Sequence, residues 1–180
     1  MLDEKEFIQQ LLDTKTQNNA FKTLVEQYQR PLYAHIRNIV LNHDDANDVL
    51  QNTFINVFRY LTSFKGDSKL FSWMYRIATN ESITFINNKA KRNGTTSEAM
   101  QTKIVENLHS DVYFDGNEIQ IKLQKAISIL PQKQQLVFKM KYFEELKYEE
   151  MSKVLDTSVG ALKASYHHAT KKIEEYMLKN

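Results

Sequence analysis

The chain has 180 residues, of which 42% are hydrophobic and 26% charged, and it contains four Gly, two Pro and no Cys. This composition suits one or two small folded domains and argues against disorder throughout. It excludes disulfides and thiolate zinc sites, and the Gly residues show no P-loop or dinucleotide-binding spacing. Apolar runs of about four residues are far shorter than the ~20 that cross a bilayer. No signal-peptide pattern is visible, so we expect a cytoplasmic protein without a membrane span.

The formal net charge of +2 hides an uneven distribution of charge along the chain. Counting Lys and Arg against Asp and Glu gives −2 for residues 1–64, +4 for 65–103, −4 for 104–118 and +4 for 119–180. The two basic blocks indicate two anion-facing surfaces on one chain. Ordinary solvated helix faces are the alternative explanation.

Apolar residues recur at spacings of three and four along almost the whole chain, which predicts an all-α protein. The first such stripe spans 21–39, and we expect a kink or a restart at Pro31 because proline lacks a backbone N–H. Asn42 and Asp44 are candidate caps of the next helix, whose core face extends over 46–61.

A loop at 62–68, with Gly66 as its turn residue, precedes a helix predicted over 69–91 that Ser68 is placed to cap. One face of this helix is apolar and predicted to be core: Leu70, Met74, Ile77 and Phe85. A second stripe mixes cationic, aromatic and amide side chains: Lys69, Trp73, Arg76, Asn80, Ile83 and Asn87. Aromatic rings beside cations suit single-stranded DNA, because bases stack on the rings and cations neutralise the backbone. Alternatively, Phe71, Trp73 and Tyr75 only fill a helical core.

The stretch 92–118 is polar, acidic towards its end and weakly periodic. It predicts a flexible linker at 93–117 that joins two small helical domains, 1–92 and 118–180. In the second domain, a helix is predicted from residue 119, and Pro131 is placed at the start of the next one.

Residues 147–172 have the layout of a helix-turn-helix, with a short helix, the turn Asp156-Thr157-Ser158 and a longer last helix. This layout allows the last helix to enter a DNA major groove. Ser158 is placed to cap that helix, and its amides could then meet a phosphate. The outward face of the last helix is small or basic: Gly160, Ala161, Lys163, Ala164, His167 and Lys171. A plain helical hairpin with a solvated basic face is the alternative.

Two parts of the chain together resemble a known family. The sequence from Asp45 to Phe54, followed by that from Phe64 to Asn80, resembles the second conserved region of bacterial RNA polymerase sigma factors of the extracytoplasmic-function (ECF) class. Leu130-Pro131 and the helix-turn-helix resemble the fourth region of the same family. The resemblance covers roughly 18–92 and 118–178, in the family's order. It implies a promoter-specificity subunit of core RNA polymerase.

This resemblance implies three binding surfaces. The surface for core polymerase would comprise Asp45, Asp48, Gln51, Asn52 and Phe58. The surface for the single-stranded −10 promoter element would comprise Phe64, Lys65, Asp67, Ser68, Lys69, Trp73, Arg76 and Asn80, with the loop at 64–69 capturing a flipped base. The surface for the duplex −35 element would comprise Ser158, Gly160, Ala161, Lys163, Ala164, His167 and Lys171.

The resemblance also implies other partners and sets limits on chemistry. An anti-sigma factor is an expected partner, and the acidic stretch 104–118 would follow the RNA path of the polymerase. No catalytic activity, cofactor or metal is expected. The chain departs from the family at several positions: Asn47 and Asn52 stand where Glu is usual, Asp156 where Gly is common, and Ser165, His168 and Thr170 where Arg is frequent.

Three alternative functions remain open at this stage. The chain could be a conventional helix-turn-helix regulator that binds duplex DNA, with 1–92 as an interaction domain. A helical hydrolase would use His43, Asp44 and Asp48. The pair His167-His168 could be read as a metal or pH site, but adjacent helical residues point about 100° apart and no third ligand is evident.

Overall fold

The computed structural model describes residues 3–112, 114 and 116–179, and within them every regular element is helical. The α-helices in those residues are α1 (Glu4–Leu12), α2 (Gln17–Val40), α3 (His43–Tyr60), α4 (Leu70–Arg92), α5 (Ser97–Glu106), α6 (Glu118–Ser128), α7 (Gln132–Tyr142), α8 (Tyr148–Leu155) and α9 (Val159–Lys179). The all-α prediction is confirmed. None of these helices is both long and apolar enough to span a membrane.

Helices α2, α3 and α4 pack pairwise and form the core of the N-terminal half, with α1 lying against α2. Helix α2 runs through Pro31 without restarting, so that part of the expectation is wrong. Proline removes only one backbone donor, and packing against α3 and α4 holds the helix on both sides of it. The hydroxyl of Tyr75 donates to the Pro31 carbonyl at 3.1 Å.

The ends of α3 and α4 show how the site-bearing helices are held. The Asn42 side chain accepts from the Asp45 N–H at 2.9 Å, which confirms the predicted cap of α3. The predicted cap of α4 by Ser68 is wrong, because α4 begins at Leu70 and its N–H donates to the Glu4 carboxylate at 2.7 Å. Helix α1, which the sequence analysis missed, therefore supplies a capping group to α4.

The segment predicted as a linker contains α5 and a short 3₁₀ turn, Leu108–Ser110. The Thr96 hydroxyl caps α5 by accepting from the Ala99 N–H at 3.2 Å. Val105 and Leu108 pack with Leu41 in a small separate hydrophobic cluster. Helix α5 contains few apolar residues and therefore has a weak periodic signal, which is why it was not predicted from the sequence.

The C-terminal half consists of α6 to α9, and its own core lies where α9 crosses α6 and α7. That core contains Ala126, Ile127, Leu130, Phe138, Ala169 and Ile173. Asp156, between α8 and α9, adopts a left-handed backbone with φ 50° and ψ 49°. Asp tolerates this conformation better than most residues, so the turn forms without the Gly that the family commonly has.

The two halves share a hydrophobic core. Helix α8 packs against α4, and α7 contacts α2. Seven buried residues of the C-terminal half join the same cluster as the core of α2, α3 and α4: Leu136, Val137, Met140, Leu146, Met151, Val154 and Leu162. The helix-turn-helix therefore lies directly on the N-terminal half.

Candidate nucleic-acid interface

The loop before α4 and the outward side of α4 form one surface, which we call the α4 face: Lys65, Asp67, Ser68, Lys69, Trp73, Arg76 and Asn80. Lys65, Lys69, Arg76 and Asn80 are exposed, and the Trp73 ring is half-buried. Gly66, with φ +76°, provides the left-handed turn that brings the loop back to α4. The surface therefore combines three cations with one partly accessible indole.

The aromatic residues around α4 have different roles. Phe64 is only 9% exposed, and its ring lies against Trp73 with centroids 5.0 Å apart. Tyr75 is buried, and its ring packs on Phe71 at a centroid distance of 4.1 Å. Burial, with a smaller contribution from Glu144, raises the pKa of the Tyr75 hydroxyl. Phe64 and Tyr75 are thus packing residues in this conformation, and Trp73 alone among them reaches the α4 face.

The outward residues of α9 form a second surface, the α9 face: Ser158, Gly160, Ala161, Lys163, Ala164, His167 and Lys171. All seven are exposed. The Ser158 hydroxyl accepts from the Ala161 N–H at 3.3 Å, which confirms the predicted cap. Leu162, Ala169 and Ile173 on the opposite side are buried and fix the orientation of the helix. The arrangement leaves small residues and cations outermost, so a backbone or a groove can approach closely.

The outward side of α3 is a third surface, the α3 face: Asp48, Gln51, Asn52, Ile55 and Phe58. It combines polar side chains with two exposed apolar ones, Ile55 at 49% and Phe58 at 43% exposure. Asp45, predicted to belong to this surface, is only partly exposed and forms an ion pair with Lys89 of α4. Ile55 was not predicted as part of this surface, although its spacing of three residues from Phe58 places both side chains on one side of α3.

A groove of about 420 Å³ separates the α4 face from the helix-turn-helix. The N-terminal half lines one wall of the groove with Asp67, Ser68, Trp73 and Arg76. The C-terminal half lines the other wall with Ser152, Lys153, Asp156, Thr157 and Ser158. Two ion pairs connect the α4 face to the helix-turn-helix: Arg76 with Asp156 at 3.5 Å, and Lys69 with Glu150 at 3.9 Å. The two predicted DNA-binding surfaces thus meet at one groove.

A buried polar cluster also links the two halves. The fully buried His35 ring donates from Nδ1 to the Glu144 carboxylate at 2.9 Å, and its Nε2 lies 2.8 Å from the Thr79 hydroxyl oxygen. Lys139 of α7 is also buried, and burial lowers its pKa to about 8, against the opposing effect of Glu144. His35 and Glu144 are 109 residues apart, so no local pattern could reveal their contact.

The described part of the chain contains no group of three His, Cys, Asp or Glu side chains arranged to hold a metal. His167 and His168 have ring centroids 5.9 Å apart on the exposed side of α9. Asp44 is exposed at the start of α3, while His43 lies within hydrogen-bond distance of Tyr33 and Asn47. These contacts tie the His43 imidazole to α2 and to the first turn of its own helix.

Comparison with known families assigns both halves of the chain. The family model of sigma-70 region 2 matches residues 24–92, and that of sigma-70 region 4 matches residues 120–173. The two matches contain α3, α4 and the helix-turn-helix, and together they cover about two thirds of the chain. Fold and matched regions define a sigma factor of the sigma-70 family.

Individual relatives narrow the assignment. The chain is 29% identical to the ECF RNA polymerase sigma factor SigW of Bacillus subtilis, over 91% of each chain. It is 28% identical to the RNA polymerase sigma-H factor of Pseudomonas aeruginosa, over 87% of this chain and 85% of the relative. The protein belongs to the ECF sigma factors. It is a promoter-specificity subunit that binds core RNA polymerase and promotes transcription initiation.

Two solved structures share the fold. The sigma factor RpoE of Bartonella quintana, in complex with the anti-sigma factor NepR, superposes with a TM-score of 0.64 over 89% of this chain and 98% of that one, at 18% identity. CnrH in complex with the cytosolic domain of CnrY gives a TM-score of 0.67 over 96% of this chain and 95% of that one, also at 18% identity. Both likenesses extend over the two helical halves.

Proposed function

We propose that the α4 face binds the melted strand of the −10 element, the α9 face reads the duplex −35 element, and the α3 face binds core polymerase. The observation that supports this division is the half-buried indole of Trp73, the only Trp in the chain, which lines the same groove as the exposed Arg76 and lies on the same face as the exposed Lys65 and Lys69. An indole stacks an unpaired base for about 1–3 kcal/mol, and adjacent cations neutralise the phosphates on either side.

Within the α4 face, we assign base stacking to Trp73 and backbone contacts to Lys65, Lys69, Arg76 and Asn80. Asp67 and Ser68 lie at the rim of the groove and could accept or donate hydrogen bonds to a base edge. Phe64 has a supporting role, because its nearly buried ring packs beneath Trp73 and orients the indole. The family's base-capturing loop would therefore act here through an aromatic pair.

Within the α9 face, Lys163 and Lys171 are the proposed phosphate contacts, while Gly160, Ala161 and Ala164 allow close approach to the major groove. Ser158 caps the helix, and the N-terminal amides that have no partner within the helix could bind a phosphate. His167, exposed two turns along the helix, can reach a base edge. Ser165, His168 and Thr170 stand where the family frequently has Arg. The last helix therefore offers fewer phosphate contacts, and affinity for the −35 element depends more on the polymerase.

The α3 face is the proposed contact with core polymerase. Asp48 supplies negative charge, Gln51 and Asn52 supply hydrogen bonds, and Ile55 and Phe58 supply exposed apolar surface at its C-terminal end. Exposed apolar residues rimmed by polar ones are typical of protein interfaces. Asp45 contributes indirectly, because its ion pair with Lys89 fixes the start of α3 against α4.

Other features complete the proposal. The acidic stretch 104–118 would follow the RNA path of the polymerase. Within this stretch, Glu106 is exposed and Asp111 pairs with Arg37 at 2.6 Å, whereas Asp115 lies outside the described residues.

An anti-sigma factor is a proposed partner, as in the complexes of RpoE with NepR and of CnrH with CnrY. The chain itself would catalyse no reaction, because phosphodiester synthesis belongs to core polymerase. It would act in the cytoplasm, together with that enzyme.

The proposed function is tested by transcription with purified components. Core polymerase alone and core polymerase with this protein are given fragments of the source genome, and run-off products are sequenced. We expect discrete products only when the protein is present, with unpaired thymines near the start site that react with permanganate. A conventional regulator gives the opposite pattern: it protects duplex DNA without polymerase and confers no transcription on the core enzyme.

A further inference from the structure

A second groove, which we call the α1 groove, lies beside the start of α4, where α1 packs on α2. Its volume of about 410 Å³ falls within the range of about 300–1,000 Å³ that is usual for small-molecule sites. Three half-buried aromatic rings line it, one from each helix: Phe7 of α1, Tyr28 of α2 and Phe71 of α4. Rings of this kind are the surfaces on which unpaired nucleobases stack.

The rings of the α1 groove are held in place by the core. Helix α1 is anchored by Leu11, which is fully buried, and Phe7 packs against the same hydrophobic cluster. The Phe71 ring packs on the buried Tyr75 at a centroid distance of 4.1 Å. A ligand therefore meets rings whose positions are fixed before it binds, and this lowers the entropic cost of binding.

Polar groups at the edge of the α1 groove add hydrogen-bonding capacity. Glu4 of α1 and Gln27 of α2 are exposed and line the groove. The Glu4 carboxylate is fixed, because it accepts from the Leu70 N–H at 2.7 Å. An ionised carboxylate accepts about four hydrogen bonds, so Glu4 retains capacity for a further donor. Burial, with a smaller contribution from Glu4, raises the pKa of the Tyr28 hydroxyl, so this hydroxyl remains a donor well above neutral pH.

The α1 groove is continuous with the α4 face through Lys69. This exposed cation lines the groove and precedes Trp73 by four residues, so the two side chains lie on the same side of α4, about one turn apart. Phe71 is two residues from Trp73 and therefore points about 200° away around the helix. A strand with one base on Trp73 thus reaches the α1 groove by passing Lys69, around the N-terminal end of α4.

From these observations we propose that the α1 groove captures a second unpaired base of the melted strand. The base stacks among the three rings, its amino group donates to Glu4, and Lys69 contacts the backbone between the two captured bases. Adenine, cytosine and guanine carry an amino group and thymine does not, so thymine is the base that the groove disfavours. This inference rests on the proposed binding of the melted strand by the α4 face and extends that binding to α1.

The captured bases can be located with the holoenzyme on a premelted promoter fragment. The promoter is one identified by run-off transcription, and an abasic site is placed at each position of the melted strand in turn. We expect the abasic site to weaken binding at least about fivefold at two or more positions, because each loses a stacked base. In the Trp73→Ala holoenzyme one of these positions should become insensitive, while another, the second position, keeps its full effect.

The substitution Gln27→Phe places a large side chain at the edge of the α1 groove. It should abolish the effect of the abasic site at the second position and leave the Trp73-dependent position unchanged. The matched control is Gln29→Phe, an exposed position of the same helix that lines a different groove. This control should give the parent pattern at both positions.

The substitution Glu4→Gln tests base selectivity. Its amide oxygen can still accept from the Leu70 N–H, and its amide nitrogen can donate to thymine O4. In the parent holoenzyme, cytosine at the second position should bind at least about fivefold more tightly than thymine, and this ratio should fall close to one in Glu4→Gln. Glu6→Gln, an exposed acid of α1 outside the groove, should keep the parent ratio.

The outcomes separate this inference from the function on which it rests. Sensitivity that is confined to Trp73-dependent positions overturns the second capture and leaves the α4 face standing. A second position that Gln27→Phe leaves unchanged also overturns capture in the α1 groove. A cytosine-to-thymine ratio that Glu4→Gln does not lower, or that Glu6→Gln lowers equally, overturns the role of Glu4. Absence of any Trp73-dependent position overturns the assignment of the α4 face itself.

Discussion

At the scale of single residues, the proposed binding of the melted strand depends on Trp73. Its neighbours Lys69 and Arg76 are exposed cations, and Phe64 supports the indole from below. We predict that Trp73→Ala weakens the binding of a premelted promoter fragment by the holoenzyme by about 1–3 kcal/mol, which is roughly 5- to 150-fold. Trp73→Phe, which keeps a smaller ring, should lose less. Equal affinity of all three proteins for the premelted fragment would show that Trp73 does not stack on a base.

Lys139 provides a second prediction at this scale, on stability. Its pKa is lowered to about 8 in the folded state by burial, whereas an unfolded Lys titrates near 10.4. Between these values the unfolded state binds more protons, so the free energy of unfolding should rise with pH, by up to about 1.4 kcal/mol per unit from this group. The raised pKa of Tyr75 reverses the trend above about pH 10.

Urea unfolding at pH 7, 8, 9 and 10 measures this dependence. Lys139→Met keeps the length of the side chain without the amine, so it should flatten the rise between pH 8 and 10 and stabilise the protein at pH 7. An exposed control, Lys133→Met, should retain the slope of the parent. A parent protein whose stability does not increase between pH 8 and 10 would contradict the lowered pKa of Lys139.

At the scale of helices, capping is the clearest determinant of the α3 and α9 boundaries. The Asn42 cap of α3 should contribute about 1 kcal/mol, so Asn42→Ala should lower the free energy of unfolding by that amount. Asn88→Ala, an exposed position within α4, serves as the control and should not destabilise, because Ala favours helix interiors. Equal unfolding curves for Asn42→Ala and the parent would show that the Asn42 cap does not contribute to the free energy of unfolding.

Helix α9 gives a prediction for DNA binding. If Lys163 contacts a phosphate, Lys163→Ala should weaken holoenzyme binding to duplex −35 DNA and reduce the slope of log K against log salt by about one. Lys172 is the matched control, because its amine bonds to Gln134 of α7 and lies away from the α9 face. A slope that changes equally in both variants would indicate a general charge effect instead of a specific contact.

The helices that carry function were largely predictable from sequence. The helix expected at 69–91 is found at Leu70–Arg92, and the turn at Asp156 and the cap by Ser158 occur as expected. These features depend on local periodicity and on turn chemistry, which the sequence displays directly. Helix α1 was missed because Glu and Gln dilute its short apolar stripe, and Glu4 as the cap of Leu70 is a contact over 66 residues.

At the scale of the whole molecule, the sequence indicates two surfaces but not how they meet. The periodicity of α8 shows that Met151 is buried, without showing that α4 lies against it. The contact of His35 with Glu144 and the position of Trp73 opposite Ser158 arise only from the packing of the two halves. Local patterns carry no information on such distant pairs, so the contact between the two halves became visible only in three dimensions.

Strand opening and duplex recognition are proposed to reside on different halves of one chain. Permanganate footprinting of the holoenzyme on a promoter identified by run-off transcription tests this proposal most directly, with duplex occupancy measured in parallel. Trp73→Ala should lose reactivity of unpaired thymines at the −10 element while it still occupies the duplex, and Lys163→Ala should lose occupancy in proportion to reactivity. Equal loss of occupancy and of thymine reactivity in both variants would contradict the claim.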